Sequence, residues 1–190
     1  EFVRKVSRDV AKWGLPRCLR EGVKLSGQRI RLAFFQPVSG LNRELRTLYE
    51  GNLFSVVRQL RYSERNEKSL DLVLFLNGLP FFTAELKTPL TGQSVRNAIA
   101  QYRRDRDPSE PLFGARRCLA HFAVDPELVY VTTRLRGRKT RFLPFNRGRF
   151  GGAGNPPVQE GYATAYLWEE LWARDSVLNL IQHFIHEVEE

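Results

Sequence analysis

The succession of apolar and polar positions along the chain predicts alternating helices and strands. Residues 1–20 place apolar side chains at nearly helical spacing among basic ones, so they predict a basic amphipathic helix. Residues 29–35 alternate as a strand does, whereas residues 41–52 return to helical spacing. Residues 53–63 predict a second strand, which ends at a polar turn over residues 64–68.

The middle of the chain predicts a β-hairpin followed by a helix. Two apolar strands flank the dipeptide Asn77-Gly78, which favours a tight turn. Residues 94–105 predict a helix, and the segments RCLAHFAV and LVYVTTRL predict two further strands. Residues 134–157 are basic and rich in glycine, and they show no clear periodicity.

The C-terminal segment AYLWEELWARDSVLNLIQHFIHEVEE predicts two helices. The inward face predicted for the second helix consists of Val177, Leu178, Ile181, Phe184, Ile185 and Val188. Together, these elements predict an α/β fold with a central mixed β-sheet flanked by helices. Residues 41–190 are expected to form this domain, and residues 1–40 to add a basic helix and a strand that can pack on its core.

The charge of the chain indicates a polyanionic partner. A formal net charge of +9 and an isoelectric point near 10 are typical of proteins that bind nucleic acid. Arginine accounts for 24 of the 30 positive residues, and its planar guanidinium group suits phosphate recognition. A genome that favours arginine codons is the alternative explanation of this excess.

Two features of the sequence indicate the cellular location of the protein. No apolar run approaches the roughly 20 residues that cross a bilayer, so no membrane association is predicted. Cys18 and Cys118 lie far apart and form no CxxC motif, which favours two reduced thiols in a cytoplasmic protein. Because the sequence opens at Glu1 and stops inside a predicted helix, we expect it to be part of a longer chain.

Three charged residues, Asp71, Glu85 and Lys87, interrupt the apolar run of residues 69–87. Charged side chains are rarely buried unless they are paired or bind a metal. Glu85 and Lys87 lie two positions apart on one predicted strand, so their side chains point to the same face, with Cβ atoms roughly 7 Å apart. A carboxylate and an ammonium group can therefore converge on one small volume.

The register of the hairpin decides whether Asp71 joins them. A plain two-residue turn sets Asp71 opposite Ala84, so that it faces away from Glu85. A one-residue offset, from a three-residue loop with a bulge or from a bend at Pro80, sets Asp71 opposite Glu85. We predict the offset, because three isolated buried charges would each be costly.

Asp71 and Glu85 together would form a site for a divalent cation. Two carboxylates without cysteine or clustered histidine suit Mg²⁺, a hard cation that keeps several waters. The metal would polarise a phosphate and help to generate the hydroxide that attacks a phosphodiester, while Lys87 orients that nucleophile. The alternative is a buried ion pair between an acidic residue and Lys87, without a chemical role.

The segment LDLVLFLNGLPFFTAELKTPLT resembles the nuclease core of the restriction (R) subunits of type I restriction–modification enzymes, which have the PD-(D/E)xK phosphodiesterase fold. Asp71, Glu85 and Lys87 match its three catalytic positions, and Leu70 replaces the proline of the motif. The similarity continues in NLFSVVRQLRYS, NAIAQYRRD, VTTRLRGRKTRFLPFNRG, GGAGNPP and YLWEELWARDSVLNLIQHFI, and covers about residues 40–190. The resemblance implies a PD-(D/E)xK restriction-endonuclease-like fold, with Asp71 and Glu85 as metal ligands.

The helix after the Glu85 strand carries part of a further family motif, Q-x-x-x-Y. Gln101 matches its glutamine, whereas Asp105 stands at the tyrosine position. Tyr102 lies on another side of the predicted helix and is a poor substitute. The resemblance implies that Gln101 assists catalysis, and a solvated polar helix face is the alternative.

Two basic clusters that follow the Glu85 strand are candidates for DNA contact. They can track a DNA backbone through phosphate contacts, which depend on salt and are insensitive to sequence. For the second cluster, the alternative is a solvated hairpin whose phenylalanines pack into the core. The residues predicted to bind DNA are Arg103, Arg104, Arg106, Arg136, Arg138, Lys139 and Arg141.

In R subunits of this family, the nuclease is joined to an ATP-driven DNA translocase and assembles with modification and specificity subunits. The sequence contains no G-x-x-x-x-G-K-[ST] phosphate-binding loop, so ATP is expected to bind only in a motor region beyond Glu190. The resemblance implies a Mg²⁺-dependent endonuclease domain that cuts double-stranded DNA without its own sequence specificity. A catalytically inactive DNA-binding or subunit-docking module, and a homing or repair nuclease without a motor, are the alternatives.

Overall fold

The computed structural model describes residues 1–186, which form an α/β structure around a six-stranded sheet. The strands are β1 (Val23–Leu25), β2 (Gln28–Ile30), β3 (Phe54–Arg61), β4 (Ser69–Leu76), β5 (Leu79–Leu86), β6 (Ala120–Val124), β7 (Val129–Thr132) and β8 (Leu143–Pro144). The α-helices are α1 (Phe2–Trp13), α2 (Leu15–Glu21), α3 (Arg43–Glu50), α4 (Val95–Asp105) and α5 (Arg174–Asn179). β1 and β2 form a second, two-stranded sheet.

The six strands of the large sheet follow one another in chain order, from β3 to β8. Neighbouring strands are antiparallel except β5 and β6, which run parallel. A parallel pair needs a crossover connection, and the crossover contains α4, which begins with a capping box formed by Ser94 and Asn97. The predicted α/β fold with a mixed sheet flanked by helices is confirmed, and it is compatible with a PD-(D/E)xK-like nuclease.

The hairpin of β4 and β5 has the predicted offset register. A plain two-residue turn connects the strands. Phe75 is opposite Pro80, whereas Leu74 is opposite Phe82, so the pairing skips one residue of β5. The unpaired residue is Phe81, directly after Pro80. Proline cannot donate a hydrogen bond to the ladder, so a bulge next to Pro80 is readily accommodated. The second of the two predicted routes to the offset, a bend at Pro80, is the one observed.

The first 40 residues form two helices and the small sheet, instead of the single helix and strand expected. Gly14, with φ 81°, separates α1 from α2, and Pro16 lies in the first turn of α2, where proline is tolerated. Of the predicted strand over residues 29–35, only the first two residues belong to a strand, β2. Leu15 and Leu19 are buried in the main hydrophobic cluster, so this segment packs against the sheet.

The C-terminal helices are shorter and less regular than the sequence predicts. π-Helical turns at Leu167–Leu171 and Leu180–Phe184 flank α5. The buried residues of the predicted inward face are Val177, Leu178 and Ile181. Ile185 is half-buried, Phe184 is 68% exposed, and Val188 lies outside the described residues.

Two elements of the described chain, α3 and β3, are largely exposed. α3 forms where the sequence predicts it, capped by a hydrogen bond from the Leu45 N–H to Oδ1 of Asn42, but none of its residues is buried. β3 is the edge strand, and most of its residues are also exposed. Among the residues described, no helix is long and apolar enough to cross a membrane.

Candidate active site

The three charged residues of the apolar run meet where β4 begins and β5 ends. Leu72 pairs with Ala84, and extending this register by one residue sets Asp71 opposite Glu85. Directly opposed residues share a face of the sheet, so the two carboxylates point the same way. Lys87 follows β5, and its Nζ atom lies 3.9 Å from Oδ2 of Asp71. The structure therefore brings together three of the predicted catalytic side chains.

Hydrogen bonds to both carboxylate oxygens fix the orientation of Asp71. Nε2 of Gln59 donates to Oδ1 over 2.8 Å, and the backbone N–H of Leu86 donates to Oδ2 over 2.8 Å. Each oxygen keeps acceptor capacity for a further partner. Gln59 could not be predicted from the sequence, because the polar turn over residues 64–68 does not fix the register of β3 with β4.

Glu85 is fully buried, and one of its oxygens lacks a partner. Nε of Arg106 donates to Oε1 over 2.7 Å, whereas Oε2 has no hydrogen-bond partner among the described residues. Burial raises the pKa of Glu85 to about 8, Arg106 opposes this rise, and the neighbouring Asp71 carboxylate adds to it. A buried acceptor without a partner is costly, and a cation is one group that satisfies it.

The burial of Arg106 corrects the prediction that it contacts DNA. Only 3% of Arg106 is exposed, and its guanidinium also donates to the Ser69 carbonyl over 2.7 Å and to the Tyr62 hydroxyl over 3.1 Å. The residue follows α4 directly and turns inward because Glu85 is a buried negative charge that needs a counter-charge. With its donors used in this way, Arg106 is not available to a phosphate.

The structure places Gln101 half-buried on α4, and among the described residues no hydrogen bond joins its side chain to the acidic residues. The next residue, Tyr102, is fully buried, with its hydroxyl 2.7 Å from Oγ1 of Thr83. Burial, followed by the nearby charge of Glu85, raises the pKa of Tyr102 well above its usual value. Asp105, at the tyrosine position of the family motif, is exposed. The catalytic role of Gln101 stays a prediction.

Basic residues of α4 and of the loop over residues 134–141 line one groove of about 670 Å³, called here the basic groove. Its lining consists of Arg96, Ile99, Ala100, Arg103, Arg104 and Arg138. Arg103 ties the loop to the helix, because its Nε donates to the Thr140 carbonyl over 3.0 Å. The other exposed basic residues of the prediction are Arg136, Lys139 and Arg141. The two basic clusters that the sequence predicts separately therefore contribute to one surface. Arg96, which was not among the predicted residues, also lines it.

Asp71 and Glu85 fit a cation of the Mg²⁺ type by their donor chemistry. Within residues 1–186, no group of three or more His, Cys, Asp or Glu side chains is placed to hold a metal. With Asp71 and Glu85 as its two carboxylate ligands, a cation would take its other oxygens from water and substrate phosphate, as is common for Mg²⁺. Oε2 of Glu85, which has no partner among the described residues, is the atom that a cation would satisfy.

Over residues 17–140, the chain matches the protein family described as type I restriction enzyme R protein N terminus. The chain belongs to this family. The comparison with curated proteins finds no match. The family match begins and ends earlier than the resemblance over residues 40–190, and it includes Asp71, Glu85 and Lys87, all strands from β1 to β7, and α4.

Family membership identifies this R-protein domain as the N-terminal nuclease region of a type I restriction enzyme subunit. It also implies DNA and a restriction complex as the setting of the domain. The two carboxylates and the lysine lie inside the matched region, and so do the residues of the basic groove. The matched region therefore contains both the candidate catalytic site and the candidate DNA-binding surface.

Proposed function

We propose that this domain is a Mg²⁺-dependent endonuclease that hydrolyses DNA phosphodiester bonds without its own sequence specificity. Cleavage is licensed by an ATP-driven translocase in the complete R subunit. The observation that carries the proposal is the arrangement of Asp71 and Glu85 on one face of the sheet, with Lys87 beside Asp71. Membership of the R-protein family supports the restriction setting.

Each residue of the site has a role that its surroundings support. Asp71 and Glu85 would hold the divalent cation, which acts as a Lewis acid on the scissile phosphate and lowers the pKa of a bound water. The side chain of Lys87 is only 12% exposed, and its ammonium group would position the attacking water and stabilise negative charge on the phosphate. Gln101 would assist these residues, because it lies on α4 and this helix contacts β5, the strand that carries Glu85.

The basic groove would bind the DNA backbone. Arg96, Arg104 and Arg138 present guanidinium groups to one surface, and such groups pair with phosphate oxygens in any sequence. Phosphate contacts position a protein on DNA but carry no sequence information. Sequence choice is accordingly proposed to reside in the specificity subunit of the complex, which also contains the modification subunit.

One observation favours a second candidate, a catalytically inactive DNA-binding or subunit-docking module. Arg106 already pairs with Oε1 of Glu85, and a buried carboxylate paired with an arginine can be a purely structural feature. Two findings argue against it: Asp71 and Glu85 share a face, and no described residue partners Oε2 of Glu85. Catalysis is therefore the better-supported proposal.

The test uses the reconstituted complex of R, modification and specificity subunits. Asp71→Ala and Lys87→Ala are each expected to reduce DNA cleavage by at least about 100-fold, because each removes a group that stabilises the transition state. ATP hydrolysis should remain intact in both variants, since the proposed motor lies elsewhere. Asp107→Ala removes an exposed carboxylate as a control and should leave cleavage unchanged. Retained cleavage in either site variant would refute the assignment.

A further inference from the structure

Gln59 has a backbone conformation that is unusual for a strand. It lies inside β3, between the regular pairs Arg58–Leu72 and Leu60–Leu70, yet its φ is 51°. A residue other than glycine is uncommon in this left-handed region, and such strained positions cluster at functional sites. The other described non-glycine residues with positive φ lie outside strands and are Ser26, Asn77, Arg116 and Phe150.

Hydrogen bonds to both the nitrogen and the oxygen of the Gln59 amide group fix its orientation beside Asp71. The register of β3 with β4 sets Gln59 opposite Asp71, and Nε2 of Gln59 donates to Oδ1 of Asp71 over 2.8 Å. Oγ of Ser69 donates to Oε1 of Gln59 over 2.8 Å. An ionised carboxylate only accepts hydrogen bonds, so the amide nitrogen must face Asp71 and the amide oxygen must face Ser69.

We propose that Gln59 is a positioning residue for the cation site, because its amide holds the Asp71 carboxylate toward Glu85. This inference rests on the proposed function, since it takes Asp71 and Glu85 as ligands of one divalent cation. Residues that hydrogen-bond to metal ligands orient those ligands, and their removal typically weakens metal binding by about 10–100-fold. The other donor to Asp71 is the backbone N–H of Leu86, so Gln59 is the donor that a substitution can remove.

A positioning role and a purely structural role predict different responses to substitution. Gln59 is exposed on an edge strand, so its side chain buries little apolar surface. Glycine adopts a positive φ without strain, and Gln59→Gly therefore removes the side chain and the strain together. If Gln59 positions Asp71, metal affinity falls while stability is kept or gained. If its hydrogen bonds only hold the strands together, stability falls and metal affinity does not.

The experiment measures Mn²⁺ affinity by titration calorimetry and the Tm of the metal-free protein, using the 190-residue chain. Gln59→Gly and Gln59→Ala are expected to weaken Mn²⁺ binding by at least about tenfold. Gln59→Gly should unfold at the same or a higher temperature than the unaltered chain, and Gln59→Ala no higher than Gln59→Gly. Ser26→Gly is the matched control, since it relieves a φ of 49° in the β1–β2 turn; it should not change Mn²⁺ affinity.

A further variant, Asp71→Asn, separates this inference from the proposed function. If Asp71→Asn loses Mn²⁺ binding while both Gln59 variants bind as the unaltered chain does, only the positioning role is overturned. If the unaltered chain binds no Mn²⁺, or Asp71→Asn binds it equally well, these residues are not a cation site and both proposals fail. A lower Tm of Gln59→Gly with unchanged affinity assigns Gln59 to strand structure alone.

Discussion

At the scale of single residues, Arg106 and Glu85 form a buried pair in the candidate site. Their side chains are 2% and 0% exposed, respectively. Taking two charges out of water is costly, and their attraction offsets this cost only when further hydrogen bonds satisfy the remaining donors. The Ser69 carbonyl and the Tyr62 hydroxyl provide two such bonds to Arg106. Arg106 is therefore an internal partner of Glu85.

Arg106→Ala is expected to destabilise the chain by about 3–5 kcal/mol, because it leaves the buried Glu85 carboxylate without a counter-charge. The measurement is the free energy of unfolding from urea denaturation at about pH 9, because Glu85, whose pKa burial raises to about 8, is ionised there. Arg104→Ala, on the exposed side of α4, is the control and should change the same quantity by less than about 0.5 kcal/mol. Equal stability of the two variants would contradict the buried ion pair.

The sequence indicates which residues form the site more readily than it indicates their partners. Asp71 and Glu85 are recognisable because a charge inside an apolar run needs a partner, which is a local property of the chain. Gln59 reaches Asp71 through the pairing of two strands, and Arg106 reaches Glu85 from the end of a helix. Neither the register of β3 nor the direction of a residue after a helix follows from the spacing of apolar positions.

At the scale of elements, α4 presents two faces with different roles. The buried face consists of Val95, Ala98 and Tyr102. The face toward the basic groove includes Arg96, Arg103 and Arg104. Helical spacing separates the two sets, so one helix connects the core around Glu85 to the surface proposed to bind DNA.

Replacing Arg96 and Arg138 together by alanine is expected to weaken DNA binding to a similar extent for all sequences, because the proposed contacts are with phosphates. The slope of log affinity against log salt should become shallower by roughly one for each phosphate that the variant no longer neutralises. Fluorescence anisotropy with labelled duplexes of different sequence measures both quantities. Arg29→Ala, an exposed change in β2 outside the groove, should alter neither. Weaker binding confined to particular sequences would argue against backbone binding.

Elements could be predicted from the sequence where single residues have strong backbone preferences. Asn77-Gly78 and Pro80 restrict the chain locally, so both the hairpin and its bulge were predictable. The break at Gly14 was not, because the apolar period of residues 1–20 continues across it. α3 likewise occupies its predicted place, but the exposure of its apolar face depends on which other elements pack there.

At the scale of the whole molecule, one hydrophobic core joins both ends of the described chain to the sheet. Leu15 and Leu19 from α2 belong to the same buried cluster as Phe81 and Ile181. Arg20 reinforces this connection, because its Nη1 donates to the Ile181 carbonyl over 3.1 Å. The first 40 residues therefore contribute to the stability of the core that supports the site, and we expect the chain to unfold as one cooperative unit.

The stability of the metal-free chain is expected to fall as the pH rises from about 5 to about 8. Burial raises the pKa of Glu85 from 4.5 to about 8, so within this interval the folded chain keeps a proton that the unfolded chain releases. Because the unfolded state binds fewer protons, the free energy of unfolding decreases with pH. The variant Glu85→Gln lacks the titrating group. The Tm of the variant minus the Tm of the unaltered chain should therefore increase as the pH rises. Parallel Tm curves of the two chains would instead mean that Arg106 keeps Glu85 ionised throughout the interval.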